Sequence, residues 1–357
     1  VNVGESWSKA ATADLFGLRA LAEASLGNLD QARQTLAEGV EYKADALYVM
    51  KTGAQFELLA GNTSEAIAIL NKAIVAYPEN MELRLLAAKA AIIAEDASSA
   101  RGLYDEVIAA EPEKLITRNG RQARIGLTKL DILDKKFDQA HENLKPLSKM
   151  NPDDPEANYL AGVLAFEEKD YDAAEISLRK ILKLAPNHEQ TMLLFGAVSY
   201  AKNEFEQAAY YLSKYVSARP GNLKARKLLG RTYIALDQNQ KAESALRTGL
   251  DDASGDAELL ALVGLSAIRS GQAQSGITDL EKAVALAPES SALRSELAKA
   301  YMSQGDNEQA IAELETVIAS GEGAYQVQVM VVFAYLRDKR YEKAIASTQK
   351  MLDENPD

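Results

Sequence analysis

The sequence predicts an all-α protein, a right-handed solenoid of about ten stacked helix-turn-helix repeats, and three observations predict it. First, the stretch from Pro155 to His188 is repeated from Glu189 to Asn222 at an offset of 34 residues. Ala161-Gly162 falls on Phe195-Gly196, Tyr171 on Phe205, Ala174 on Ala208, Leu178 on Leu212 and Pro186 on Pro220. A fixed period of that length marks an array of one supersecondary unit. Second, the 357 residues are 47% hydrophobic but only 6% aromatic, rich in Ala, Leu, Glu and Lys, a composition that favours helix. Third, position 20 of the frame holds Ala or Gly in ten of ten copies, from Ala32 and Ala66 through Gly276 to Ala310 and Ala344.

The copies start at Ala13, Leu47, Met81, Arg121, Pro155, Glu189, Leu223, Ala257, Ser291 and Tyr325. Each reads as a first helix over roughly positions 1–14 and a second over roughly 17–30. Position 8 is small (Ala20, Ala54, Ala88, Gly162, Gly196, Gly230, Gly264, Ala298), as the close approach of the two helices requires. Position 20 is expected to be small where the second helix meets the first helix of the next repeat. Turn residues lie between the helices at Gly27-Asn28, Gly61-Asn62, Lys169-Asp170, Gly271-Gln272 and Gly305-Asp306. Pro78, Pro112, Pro152, Pro186, Pro220, Pro288 and Pro356 recur at position 32, where proline ends the second helix. Asp154-Pro155 reads as an N-cap followed by proline in the first turn.

This divides the chain into residues 1–12, a partial helix or turn; 13–114, repeats one to three; 115–120, an insertion; and 121–357, repeats four to ten. The insertion, Leu115 to Gly120, reads as a lengthened loop or an extra helical turn ahead of the fourth repeat's first helix, a longer helix of about Glu113–Leu133 being the preferred geometry, with the alternative that it bends the array or meets a partner through Arg118, Arg121 and Arg124. Absence of a polar cap at either end suggests a segment of a longer repeat protein.

The 34-residue period, with its small residues at positions 8 and 20, its large apolar residue at 24 and its proline at 32, resembles the tetratricopeptide repeat (TPR) family. That resemblance implies a scaffold rather than an enzyme. It further implies a groove lined by positions 2, 5, 9 and 12 of the first helices. On those positions Tyr159, Phe166 and Tyr200 make an aromatic strip, and Lys224, Lys227 and Arg231 a basic one, with Lys129 a repeat earlier. Exposed apolar groups rimmed by charge mark interaction sites. The implied partner is a protein or peptide segment, acidic or carboxylate-ended, with polysaccharide stacked on the aromatic rings as the alternative. The alternative for these residues themselves is packing between repeats or plain solvation.

Little in the sequence suggests catalysis. The two histidines, His141 and His188, fall on a helix face and an inter-repeat turn. There is no nucleophile elbow, zinc-protease motif, phosphate loop or calcium loop, and Ser320 to Gly323 reads as a turn. Acid pairs such as Asp153-Asp154, Glu167-Glu168 and Asp251-Asp252 sit at helix ends. No cofactor and no metal are expected. With no cysteine, disulfides and thiolate metal sites are excluded. The net charge of −12 argues against nucleic-acid binding. A membrane association would need an anchor outside this sequence.

Several stretches resemble one bacterial group within that family more closely: Asn158 to Val163, Leu194 to Tyr200, Gly221 to Gly230, Asp256 to Gly264 and Phe333 to Ala344. They look like the TPR lipoproteins of exosortase (PEP-CTERM) and exopolysaccharide systems. This resemblance implies a periplasmic, lipid-anchored scaffold in protein sorting or polysaccharide export. A third reading is an accessory repeat domain of a larger enzyme.

Overall fold

A computed structural model of the chain describes residues 7–113, 115–250, 255–321 and 325–354. These form twenty α-helices and no strand among the described residues. The chain divides into two compact units, Val1–Lys180 and Ile181–Asp357. In the first, the helices run α1 (Lys9–Ser25), α2 (Leu29–Lys43), α3 (Leu47–Leu59), α4 (Thr63–Ala76), α5 (Met81–Ile93), α6 (Ala97–Ala109), α7 (Arg118–Leu133), α8 (Phe137–Met150) and α9 (Pro155–Glu167). Helix α10 (Tyr171–Leu184) begins there and ends in the second unit. The second unit continues with α11 (Glu189–Ala201), α12 (Phe205–Ala218), α13 (Leu223–Ala235), α14 (Asn239–Arg247), α15 (Ala257–Arg269) and α16 (Ala273–Leu286). It closes with α17 (Ser291–Gln304), α18 (Asn307–Ala319), α19 (Tyr325–Arg337) and α20 (Tyr341–Glu354). Odd-numbered helices are the first and even-numbered the second of each repeat.

Both units are stacks in which each helix packs on its neighbours in sequence, so no single core is needed. Small clusters bury the apolar stripes instead. One joins Ala54, Leu70 and Ala73 to Leu83 and Ala87 of the next repeat, and another joins Leu280 and Ala283 to Leu297 and Ala300.

The turn inside every repeat has one geometry. Position 15 is left-handed in all ten copies: Gly27, Gly61, Gly271 and Gly305, but also Glu95, Lys135, Lys169, Asn203, Asp237 and Lys339. The turn closes through a backbone bond from position 16 back to position 11, as from the Asp170 N–H to the Ala165 carbonyl at 2.8 Å. At the other end of the repeat, position 34 supplies the side chain that caps the next first helix. Asn80, Asp154, His188, Asn222, Asp256 and Ser290 all do so.

Position 8 is small because the second helix lies against it. A Cβ on Gly162 would sit 2.7 Å from Leu178 Cδ2, and one on Gly230 2.5 Å from Leu246 Cδ2. Position 20 works differently from the sequence expectation. A Cβ on Gly276 would meet Gly264 O at 2.4 Å and Ile268 Cγ1 at 2.6 Å, so the crowding comes from the first helix of its own repeat.

Three boundaries differ from the sequence reading. Lys9 to Thr12, placed above in a partial helix or turn ahead of the first repeat, form the first turn of α1. The insertion does not extend α7 back to Glu113. The helix starts at Arg118, where Thr117 Oγ1 accepts from the Gly120 N–H at 2.9 Å. Glu111 accounts for the difference, because its carboxylate accepts from the Thr117 N–H at 2.6 Å and pairs with Arg124, pinning the preceding residues as a loop. Helix α14 stops at position 25 instead of 30. Residues 322–324, 356 and 251–252, named above for a turn, a proline and an acid pair, lie outside the described residues.

Candidate functional site

The first helices of consecutive repeats touch within each unit (α1 with α3, α5 with α7, α7 with α9, α11 with α13, α13 with α15). No pair of consecutive second helices shows comparable contact among the described residues. The first helices therefore share a face along α1–α3 and α5–α7–α9 in the first unit and along α11–α13–α15 in the second, and the sequence-selected residues all lie on these helices.

In the first unit, Lys129 is exposed and its ammonium donates to Glu156 at 3.1 Å. Tyr159 and Phe166 are half-buried, and the Phe166 ring packs against Tyr171 of the same repeat at 5.8 Å. In the second unit, Tyr200 repeats that arrangement edge-on to Phe205 at 5.5 Å. Position 12 aromatics thus brace the turn of their own hairpin. Each leaves part of a ring exposed, not a free strip.

The basic residues of the second unit are matched by acids. Lys227, largely buried, donates to Glu258 at 2.6 Å and Asp256 at 3.0 Å. Arg231 pairs with the same Glu258. Burial pushes the Asp256 carboxyl up, but the Leu259 N–H and Lys227 together hold it below the ordinary aspartate range. Lys224 is exposed and has no ion-pair partner among the described residues.

The same wiring appears elsewhere on the face. Lys51 pairs with Glu82, and its hydrogen bond holds the Glu82 carboxyl below the usual range. Arg121 grips Asp154 through two bonds of 2.7 and 2.8 Å and reaches Glu156 at 3.3 Å. A cation at position 5 or 9 meets an acid at position 2 of the next repeat. Sequence reasoning overlooked Glu82, Glu156 and Glu258 in this role. The signal was available as a cation followed by an acid 31 residues on (Lys51 to Glu82, Lys227 to Glu258) or 27 residues on (Lys129 to Glu156, Arg231 to Glu258).

The face opens into two adjoining clefts in repeats one to four, a region of which the sequence reading named only Arg118, Arg121 and Arg124, as an alternative partner contact at the insertion, and Lys129. One, of about 480 Å³, is walled by Leu21, Phe56, Leu58, Leu59 and Ile93. Leu59 and Ile93 stand at its mouth, 75% and 58% exposed. The other, of about 190 Å³, is lined by Lys51, Lys89 and Arg118 with Glu82 its one acid. Gln55 lines both clefts, and its Oε1 is buried without a hydrogen-bond donor. A buried acceptor left unpaired costs on the order of 1–3 kcal/mol, which a donor from a ligand would recover.

Among the described residues no three His, Cys, Asp or Glu side chains gather to hold a metal, and no helix is long and apolar enough to cross a membrane. His188 serves as a helix cap, its Nδ1 accepting from the Thr191 N–H, and His141 is an exposed partner of Glu168.

Comparison with known proteins agrees with this architecture. Two tetratricopeptide repeat family profiles match, one over residues 57–114 and 135–189, the other over 199–265 and 267–328. No curated protein matches the sequence. Among solved structures, PilW, a type IV pilus biogenesis factor, aligns with a TM-score of 0.52 at 15% identity, covering 60% of this chain and 100% of PilW. YrrB, a TPR protein with an unusual peptide-binding site, aligns at 0.47 and 17%, over 52% of this chain and 92% of YrrB. A MamA segment from Desulfovibrio magneticus RS-1 aligns at 0.45 and 23%, over 50% and 98%. With ten copies of one 34-residue hairpin, and family matches spanning most of its length, this chain belongs to the tetratricopeptide repeat family.

Proposed function

We propose that the chain is a non-catalytic scaffold that binds a segment of a partner protein on the first-helix face of repeats one to four. One observation carries the reading: an apolar cleft and a cationic cleft share Gln55, whose Oε1 is buried without a donor. A large apolar side chain fills the first cleft, a backbone N–H of the ligand reaches Gln55, and an acidic side chain nearby meets Lys89 and Arg118. The later repeats extend the surface. Lys129 of repeat four with Tyr159 and Phe166 of repeat five, and separately Tyr200, Lys224, Lys227 and Arg231, add contacts. Lys227 and Arg231 can engage an acidic ligand only by releasing Glu258.

Calorimetry with peptides that pair a large apolar residue with an acid two to four residues away tests this. Ile93→Asp, placed at an exposed position, is expected to abolish binding. Arg118→Glu is expected to weaken it and to flatten its dependence on salt. Equal binding by the wild type and Ile93→Asp rejects the site. Placement in the bacterial envelope, as a periplasmic and lipid-anchored component of protein sorting or exopolysaccharide export, rests on the stretches Asn158 to Val163, Leu194 to Tyr200, Gly221 to Gly230, Asp256 to Gly264 and Phe333 to Ala344. A neighbouring exosortase or glycosyltransferase gene supports that placement, and export of a reporter-tagged full chain tests it directly.

A further inference from the structure

Position 4 of the repeat holds arginine in repeats three, four, seven and nine: Arg84, Arg124, Arg226 and Arg294. Three of the four have a carboxylate. Arg84 donates to the Pro78 carbonyl at 2.6 Å and to Glu106 at 2.7 Å. Arg294 donates to the Pro288 carbonyl at 2.8 Å and to Glu313 at 2.5 Å. Arg124 pairs with Glu111.

Arg226 keeps the proline bond, to Pro220 O at 2.6 Å, but has lost the acid. The two positions from which its siblings draw a glutamate, 26 in repeat three and 23 in repeat nine, are Thr248 and Ala245 here. The guanidinium makes do with the Ala245 carbonyl at 2.6 Å and the Thr248 hydroxyl. It is 5% exposed, and its Nε has no acceptor at all. A buried charge held only by neutral acceptors is poorly compensated. Both groups lie at the C-terminal end of α14, so the arginine also ties down that helix end.

Beside Arg226 a cleft of about 420 Å³ opens between α12 and α14, with Leu229 and Tyr233 of α13 also lining it. Among the described residues no acidic one lines it, in a chain of net charge −12. Its other polar groups include Lys241, Gln240 and Ser244. The Lys241 ammonium lies 5.9 Å from the Tyr233 ring and donates to Gln238, with no carboxylate partner among the described residues. Thr248, itself exposed, covers the guanidinium with a neutral hydroxyl that an incoming anion displaces.

We propose that this cleft binds a carboxylate from outside the chain, standing where Glu106 and Glu313 stand in the sibling repeats. Arg226 provides the charged fork, which suits a planar carboxylate, and Lys241 the second cation. The carboxylate comes either from a free small acid or from a glutamate or aspartate side chain of a partner. The site is independent of the peptide-binding face above.

The test follows the Nε–Hε signal of Arg226 by NMR in the full chain labelled with 15N-arginine, assigned by its loss in Arg226→Lys. Acetate is titrated at constant ionic strength against chloride. In a second arm, the blocked tripeptide Ala-Glu-Ala is titrated against Ala-Gln-Ala. The Arg226 signal is expected to shift saturably with acetate or with the glutamate peptide, and not with chloride or the glutamine peptide. Saturation by acetate alone assigns the site to small free acids, and tighter saturation by the peptide assigns it to a partner's side chain. Thr248→Glu supplies the missing acid in cis and is expected to weaken either response by about tenfold or more. An Arg226 signal that stays fixed overturns the proposal, as does one that responds as strongly in Thr248→Glu. Either result leaves Arg226 as a purely structural cap of α14.

Discussion

The left-handed residue at position 15 offers the sharpest test of how the repeats are held. Six of the ten turns place a side chain there at φ between 55° and 63°. An L-residue in that region costs roughly 1–2 kcal/mol, and glycine's greater loss of backbone freedom on folding returns about 0.5–1 kcal/mol of it. Glycine should therefore gain about 0.5–1 kcal/mol at each turn. Glu95, Lys135 and Lys169 occupy consecutive repeats of the first unit, so Glu95→Gly, Lys135→Gly and Lys169→Gly together should add about 1.5–3 kcal/mol if the sites are independent. The reverse change is equally informative. A Cβ on Gly61 would meet nothing within 4 Å, so Gly61→Lys isolates the backbone cost from any clash. Urea unfolding followed by circular dichroism reads the shift in midpoint, and amide exchange around each turn reads it locally, which matters because repeat arrays need not unfold in two states. A triple variant no more stable than the wild type, or a Gly61→Lys that costs nothing, would refute the reasoning.

Two further expectations follow from the same geometry. Gly230→Ala brings a methyl to 2.5 Å from Leu246 Cδ2 and is expected to destabilise by about 1–2 kcal/mol, crowding outweighing helix propensity. Gly53→Ala, whose Cβ has only Leu36 Cδ2 at 4.0 Å, is expected to stabilise by up to about 1 kcal/mol; thermal melts of the two variants should move in opposite directions. The Asp154 carboxyl, gripped by Arg121 and capping α9, is held below the ordinary aspartate value. A depressed folded-state value contributes stability above the unfolded value of about 3.9 and loses it as the pH falls through the folded one. The gap in urea midpoint between wild type and Asp154→Asn should therefore be full at pH 7 and close progressively below about pH 4.

The frame was legible because stacking imposes it. What fills position 8 leaves room for a leucine such as Leu178, and what fills position 34 caps a helix in six copies, though not at Ala46, so those residue choices recur at 34-residue intervals. The turn geometry was only partly legible. Glycine announces a left-handed residue at Gly27 or Gly305, but Lys135 and Lys339 adopt the same conformation because the helices on either side leave no other path. An Asn-Gly pair such as Asn119-Gly120 usually marks a turn, yet Gly120 lies inside α7, where a Cβ would fall 1.8 Å from Glu111 Oε1. There glycine marks a close approach rather than a turn, and only the fold reveals the approaching carboxylate.

The charge balance of the first-helix face was hidden for a related reason. Treating each repeat as a separate strip picked out Lys227 and Arg231 as free cations, because their partner Glu258 belongs to the next copy. In a stacked array the electrostatic unit is the seam between repeats, and a cation counts toward ligand binding only after the acid one repeat later is subtracted. Applied to the first-helix face, that rule neutralises Lys51, Lys129, Lys227 and Arg231 and leaves Lys89, Arg118 and Lys224 uncompensated among the described residues. Two of those three line the polar cleft of repeats two to four, next to the apolar one, and that is the reason for proposing the site there. Glu258→Gln would test the rule itself. Releasing Lys227 and Arg231 should raise affinity for acidic peptides in the second unit without altering the Ile93-dependent binding in the first, and a change in both or in neither would defeat it.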